Sequence, residues 1–174
     1  KQGEENGRNA FVRKGELDSD GFAVFKITNV IQGDGAVATR SFASLNSEPL
    51  FLTARGVYAL TPSDVTGERY AQERSWYIGA ALTREQALEK ACATVWGRFY
   101  VLAVNGTLYL LDGAQKSYES KNPYSTYQYE SYYWPGIPAT CVWVENGALR
   151  FGTAGGEVRE FWPGTLAGQY NDGG

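Results

Sequence analysis

Seven aromatic side chains crowd one short stretch of the chain: Tyr118, Tyr124, Tyr127, Tyr129, Tyr132, Tyr133 and Trp134. Rings with a polar tip stack on sugars or anchor protein interfaces, because one end is apolar and the other hydrogen-bonds. The same residue types are good strand formers, and a strand sends successive side chains to opposite faces. On that alternation Tyr127, Tyr129 and Tyr133 share one face, and Tyr132 and Trp134 share the other. Two readings follow. The rings pack a sheet, or Tyr124, Tyr127, Tyr129, Tyr132, Tyr133 and Trp134 form a ligand or partner surface. Trp76-Tyr77 falls at the corresponding place of a preceding unit, which favours packing.

Other chemistry lacks its residues. The chain has no histidine, which removes Ser-His-Asp and Cys-His catalysis and His-based metal sites. Cys92 and Cys141 are too few for a thiolate zinc site or a disulfide scaffold, and each lies in an apolar stretch that reads as core. No glycine-rich loop precedes a helix, so phosphate cradling has no candidate. Glu130, Asp64 and Asp112 are the acids on which glycoside hydrolysis would draw, but Asp112 precedes Gly113 and is explained by a turn. Asp18-Ser19-Asp20-Gly21 resembles the start of a calcium loop, yet the register puts Ile27 where a bidentate Glu is required, so an acidic turn is the better reading. Asn105-Gly106-Thr107 fits a glycosylation sequon inside a tight hairpin, where geometry accounts for it. The expectation is a non-enzymatic protein without cofactor or metal.

Composition narrows the partners. The 174 residues are 43% hydrophobic and carry a net charge of −3, which suits a folded domain and offers no basic stripe for nucleic acid. No apolar run approaches the ~20 residues that cross a bilayer, and nothing resembles a signal peptide. Methionine is absent, even at position 1, which suggests an excised portion of a longer protein. Residues 1–20 are polar and read as a linker or flexible N-terminus, leaving 21–174 as a single β domain.

The elements that position the aromatics repeat. An apolar strand, a tight turn with Gly and a second strand occur at Leu50–Leu60, Tyr100–Leu111 and Leu149–Phe161, with Gly56, Gly106 and Gly156 spaced by 50 residues. Asn-Gly and Gly-Gly favour two-residue hairpins because those turns need positive φ. A further strand precedes each hairpin, at Val37–Leu45, Ala93–Trp96 and Thr140–Glu145. A fourth follows the first two, at Ala71–Ile78 and Tyr127–Trp134. Phe22–Val30 has strand character as well. Phe99–Val104 is apolar without alternation, which predicts burial on both faces. Four strands per unit at this period predict an all-β, propeller-like repeat of about three four-stranded blades, a partial propeller, with a sandwich or other β fold as the alternative. One short helix is expected near 84–92, where Thr83-Arg84-Glu85-Gln86 has capping-box spacing and Ala87, Leu88, Ala91 and Cys92 form an apolar face.

The stretch from Ser41 to Asp112 resembles propeller-type structural proteins of tailed bacteriophages and prophages. The likeness lies in Pro49-Leu50-Phe51-Leu52-Thr53, Gly56-Val57-Tyr58-Ala59-Leu60, Arg74-Ser75 and Leu102-Ala103-Val104-Asn105. Tyr132-Tyr133-Trp134 before Ile137-Pro138-Ala139-Thr140, and Tyr170-Asn171-Asp172 near the end, fit the same pattern. The resemblance implies a tail- or virion-associated role, located in the virion or in the bacterial cytoplasm during assembly, and a further strand that completes the last blade. The leading expectation is a scaffold that contacts other protein subunits or a second copy of itself. The alternative is a carbohydrate- or receptor-binding module that uses residues 118–134. Neither nucleic-acid binding nor membrane insertion is expected. A partial propeller leaves apolar sheet faces open, so a tendency to dimerise is expected too.

Overall fold

The computed structural model of the chain describes residues 9–32, 35–62, 69–118 and 127–161. They are predominantly β, as expected, in four antiparallel sheets. A hairpin of β1 (Asn9–Leu17) and β2 (Ala23–Gln32) comes first. Then come a sheet of β3 (Ala43–Leu45), β4 (Glu48–Thr53), β5 (Gly56–Pro62) and β6 (Arg69–Glu73), and a sheet of β7 (Cys92–Trp96), β8 (Phe99–Val104), β9 (Thr107–Tyr118) and β10 (Tyr127–Pro135). The last comprises β11 (Ala139–Glu145), β12 (Ala148–Thr153) and β13 (Val158–Glu160). In each, consecutive strands are neighbours, so every sheet is a simple meander.

Two apolar layers join the three larger sheets. Leu50, Leu52, Val57 and Ala59 of the β3–β6 sheet pack against Tyr100, Leu102, Val104, Tyr109 and Leu111 of the β7–β10 sheet. Val101, Ala103, Leu108 and Leu110, on its opposite face, pack against Val142, Leu149 and Phe151. The β7–β10 sheet is thus the middle layer, and the unalternating run Phe99–Val104 is buried on both faces as predicted. The first strands gather on one side, with β7 lying against both β3 and β11. Polar bridges reinforce the stacking: Tyr100 donates its hydroxyl to the Ser41 carbonyl at 2.7 Å, and Trp96 Nε1 donates to the Gly147 carbonyl at 2.9 Å.

The turns follow local chemistry. Asn105-Gly106 has φ of 48° and 79°, the left-handed pair that a two-residue hairpin demands. Asn146-Gly147 repeats it at 52° and 81° between β11 and β12. Between β4 and β5 the loop is Ala54-Arg55, and Gly56 opens β5 rather than making the turn. The first repeat is therefore displaced by one residue from the glycine spacing.

Five expectations need correction. Gly155-Gly156 is not a two-residue hairpin turn, since Thr153 to Glu157 separate Gly152 of β12 from its partner Val158 of β13, and of the two glycines only Gly156 has positive φ. The helix is α1 (Trp76–Leu82), not 84–92. It cuts short the strand expected over Ala71–Ile78, which ends at Glu73. Ile78 and Leu82, four residues apart, turn one face to the core, and that tertiary burial overrides the β preference of Trp76-Tyr77-Ile78. Thr83 therefore closes a helix instead of opening one, donating its hydroxyl to the Gly79 carbonyl at 2.8 Å. Within 84–92 only a single 3-10 turn forms, at Leu88–Lys90. Of Val37–Leu45, only Ala43–Leu45 is strand, after a 3-10 turn at Thr39–Ser41. Residues 9–17, taken as linker, form β1, where Arg13-Lys14-Gly15-Glu16 pair with Phe25–Ile27 and Val24 across the hairpin despite their polarity. The last unit has three strands among the described residues.

Candidate functional site

Of the aromatic segment, Tyr118 ends β9, and Tyr127 to Trp134 lie on β10, the outer edge strand of the middle sheet. Tyr124 lies outside the described residues. The alternation holds for the rest. Tyr127, Tyr129 and Tyr133 lie toward the β3–β6 side, with Tyr129 fully buried and Tyr133 6.5 Å from Tyr109, ring centroid to centroid. Tyr132 and Trp134 lie toward the β11–β13 side, Tyr132 edge-on to Phe99 at 6.4 Å and Trp134 at 5.8 Å from Phe161. Burial divides the segment along its length. Tyr129 is 0% exposed, whereas Tyr132, Tyr133 and Trp134 are 44%, 60% and 38% exposed. The start of the strand is thus buried in packing, and the rings at its end remain partly exposed.

A bulge sets up that division. Tyr129 pairs with Lys116 but Glu130 pairs with Asp112, so Gly113, Ala114 and Gln115 are extra residues on β9. Bulges bend the strand that carries them and re-aim its side chains. Asp112 shapes this one: its Oδ1 accepts the Ala114 amide at 3.0 Å, and its Oδ2 meets Arg98 Nη2 at 2.8 Å. Beyond the bulge, the start of β10 is stitched to the preceding sheet. Tyr129 donates its amide to the Arg74 carbonyl at 3.3 Å, and Gln128 Nε2 donates to the Glu73 carbonyl at 3.2 Å while its Oε1 accepts the Trp76 amide at 3.2 Å.

The centre of the junction is a buried ion pair that the sequence reading did not single out. Arg74 is 0% exposed and Glu48 8%. The guanidinium grips the carboxylate in a fork, Nη2 to Oε1 at 2.7 Å and Nε to Oε2 at 3.1 Å. Glu48 Oε2 also accepts the hydroxyls of Tyr127 and Tyr129, each at 3.1 Å. Arg74 Nη1 donates to the Tyr127 carbonyl at 3.0 Å, and the guanidinium carbon sits 3.8 Å from the Tyr127 ring centroid. Lys116 Nζ lies 4.1 Å from the same centroid. Desolvation pulls the Arg74 pKa down, but the hydrogen bond and charge of Glu48 outweigh it, so the guanidinium is held charged. Burial first, then the bond to Tyr127 and the Glu48 charge, pushes the Tyr129 phenol well above its usual range. Donors and acceptors are matched within the cluster, which makes it a joint between two sheets.

Of the carboxylates considered for hydrolysis, the two among the described residues, Glu130 and Asp112, do not form a cleft. Asp64 lies outside the described residues. Glu130 stands opposite Asp112 across the ladder, but Asp112 is fully buried and held by Arg98, and Glu130 accepts the Ser117 hydroxyl at 2.7 Å. Asp18 closes the β1–β2 turn, its Oδ1 accepting the amides of Asp20 at 3.0 Å and Phe22 at 2.8 Å, in agreement with an acidic turn. Burial raises the thiol pKa of Cys92. Cys141, expected to be core, is only half-buried. No helix among the described residues is long and apolar enough to cross a membrane. Comparison with protein-family models, with curated proteins and with solved structures finds no match.

Proposed function

We propose that the chain is a segment of a β-propeller that acts as a rigid, non-enzymatic scaffold for contacts with other protein subunits. The propeller reading is supported by three meanders stacked face to face with their first strands on one side. The observation that carries the scaffold reading is the division of β10. Its first residues are locked to the neighbouring sheet by Arg74 and Glu48, and its last ones, Tyr132, Tyr133 and Trp134, stay exposed. Exposed aromatics on a rigid support suit a protein interface, since little side-chain freedom is lost on contact. The resemblance to structural proteins of tailed phages agrees with an assembly role in a virion or tail.

Tyr132 and Trp134 share a face two residues apart, the observation that favours a second reading, stacking on a glycan. Tyr133 points to the other face, so the three rings do not make one platform, and the scaffold reading is preferred. Analytical ultracentrifugation of the chain and of a Tyr132→Ser, Tyr133→Ser, Trp134→Ser variant tests the choice with a second copy as the partner. Association at micromolar concentration that the folded triple variant loses supports the scaffold. A monomeric wild type whose tryptophan fluorescence titrates with oligosaccharides, and no longer does so in Trp134→Phe, replaces it with the glycan reading. A wild type that does neither leaves β10 without the role assigned to it.

A further inference from the structure

We propose that a cleft between the middle and last sheets binds a small organic anion with an apolar body. The cleft has a volume of about 550 Å³, within the ~300–1,000 Å³ common for small-molecule sites. Arg40 and Lys90 stand at its margin. They come from matching places in two successive units, because each lies in the 3-10 turn that leads into the first strand of its sheet. Arg40 Nη2 donates to the Lys90 carbonyl at 3.1 Å, which ties together two turns whose residues both line the cleft.

Neither cation is in an ion pair among the described residues, whereas Arg74, Arg98, Arg150 and Arg159 each sit against a carboxylate. Glu89 shares the 3-10 turn of Lys90, and Glu85 accepts the Asn105 side-chain amide at 2.8 Å, but neither carboxylate lines the cleft, so Arg40 and Lys90 set the sign of the potential over this concave surface. The remaining walls are largely apolar, from Ala87, Ala103, Val104, Pro138, Ala139 and Ala154. Ala87 is held in the left-handed region at φ 56°, and its carbonyl accepts the Lys90 amide at 2.9 Å, so the turn that carries Lys90 is fixed by local geometry. An anionic head between Arg40 and Lys90 with a hydrocarbon or ring body against the alanines satisfies both halves of the lining. This inference stands apart from the scaffold reading, whose residues lie on β10.

Fluorescence titration with anilinonaphthalene sulfonate tests it, with the neutral phenylnaphthylamine as the matched probe lacking the anionic head. The sulfonate is expected to bind saturably with one site per chain, and the affinity should fall as salt is raised. An Arg40→Gln, Lys90→Gln variant should weaken it at least roughly tenfold, the loss of charge-assisted bonds to the head group. Ala154→Trp, at an exposed turn position, should block the site without touching either cation. Phenylnaphthylamine should bind more weakly than the sulfonate and be indifferent to the charge variant. Circular dichroism checks that each variant is folded. The proposal is overturned by the absence of saturable sulfonate binding, by equal affinity for the neutral probe, or by sulfonate affinity within about twofold of the parent in the folded variants.

Discussion

Replacing Glu48 by Gln keeps the size of the side chain and removes its charge, leaving the Arg74 guanidinium buried without a counter-ion. Arg74 is 0% exposed and Glu48 8%, so water cannot take over the lost interaction. The substitution also upsets the donor count. One carboxylate receives two guanidinium N–H groups and two tyrosine hydroxyls, and an amide NH2 would face donors on at least one side. Removing one partner of a buried pair costs about 3–5 kcal/mol. With a urea m-value of about 2 kcal/mol/M, the unfolding midpoint should fall by about 2 M. Urea unfolding followed by circular dichroism and tryptophan fluorescence reads this directly. The informative control is Glu48→Met with Arg74→Met, which removes both charges at similar volume. If the cost of Glu48→Gln comes from an orphaned cation, the double replacement should destabilise less than the single one, even though it strands the tyrosine hydroxyls. A Glu48→Gln protein within about 1 kcal/mol of the parent, or a double variant at least as damaged as the single, would mean that the orphaned guanidinium is not what costs stability.

Three further predictions rest on separate parts of the molecule. Gly113→Ala should destabilise by about 1–3 kcal/mol, because a Cβ there would lie 2.8 Å from Asn46 Nδ2 and 3.0 Å from the Arg98 carbonyl oxygen, and the latter belongs to the backbone; thermal unfolding of the variant measures it. Leu102→Ala, at a wholly buried β8 position, should cost about 2–5 kcal/mol, whereas Tyr133→Ser at the exposed end of β10 should stay within about 1 kcal/mol in the same urea assay. Burial raises the phenol pKa of both Tyr100 and Tyr129 above the unfolded value. For an acid whose folded pKa is raised, the folded state binds the extra proton, so stability is intact below the unfolded pKa and is lost as pH climbs above it. Stability should therefore fall above about pH 10 with a slope approaching 1.4 kcal/mol per pH unit for each of the two phenols. Urea midpoints across that range, with tyrosinate absorbance reporting ionisation, check the sign. Stability that is flat or rising there contradicts it.

The inner strands of the stacked sheets were legible because their signal is local. Asn105-Gly106 demands a hairpin on backbone grounds alone, and the unbroken apolar run at Phe99–Val104 can be satisfied only by a strand covered on both faces. The helix was not, because Trp76-Tyr77-Ile78 looks like strand to any local rule; only the core beyond the end of β6 makes the four-residue spacing of Ile78 and Leu82 decisive. The alternation of rings along β10 was readable as well, down to which of them share a face. What the residue pattern could not convey was depth. Tyr129 is buried and Tyr133 exposed on the same face of one strand, and the difference arises where Glu48 and Arg74, from the neighbouring sheet, cover one end of that strand and not the other. Glu48 lies 26 positions from Arg74 and 81 from Tyr129, and as single letters each passes for an ordinary surface residue. Their meaning comes from stacking, which no period in the sequence encodes. Arg40 and Lys90 do lie one 50-residue period apart, but they are brought together only because the turns that carry them lead into first strands gathered on one side. A repeat architecture places matching positions of successive units side by side, so a site shared between units is hidden in a linear reading and follows directly once the stacking is known.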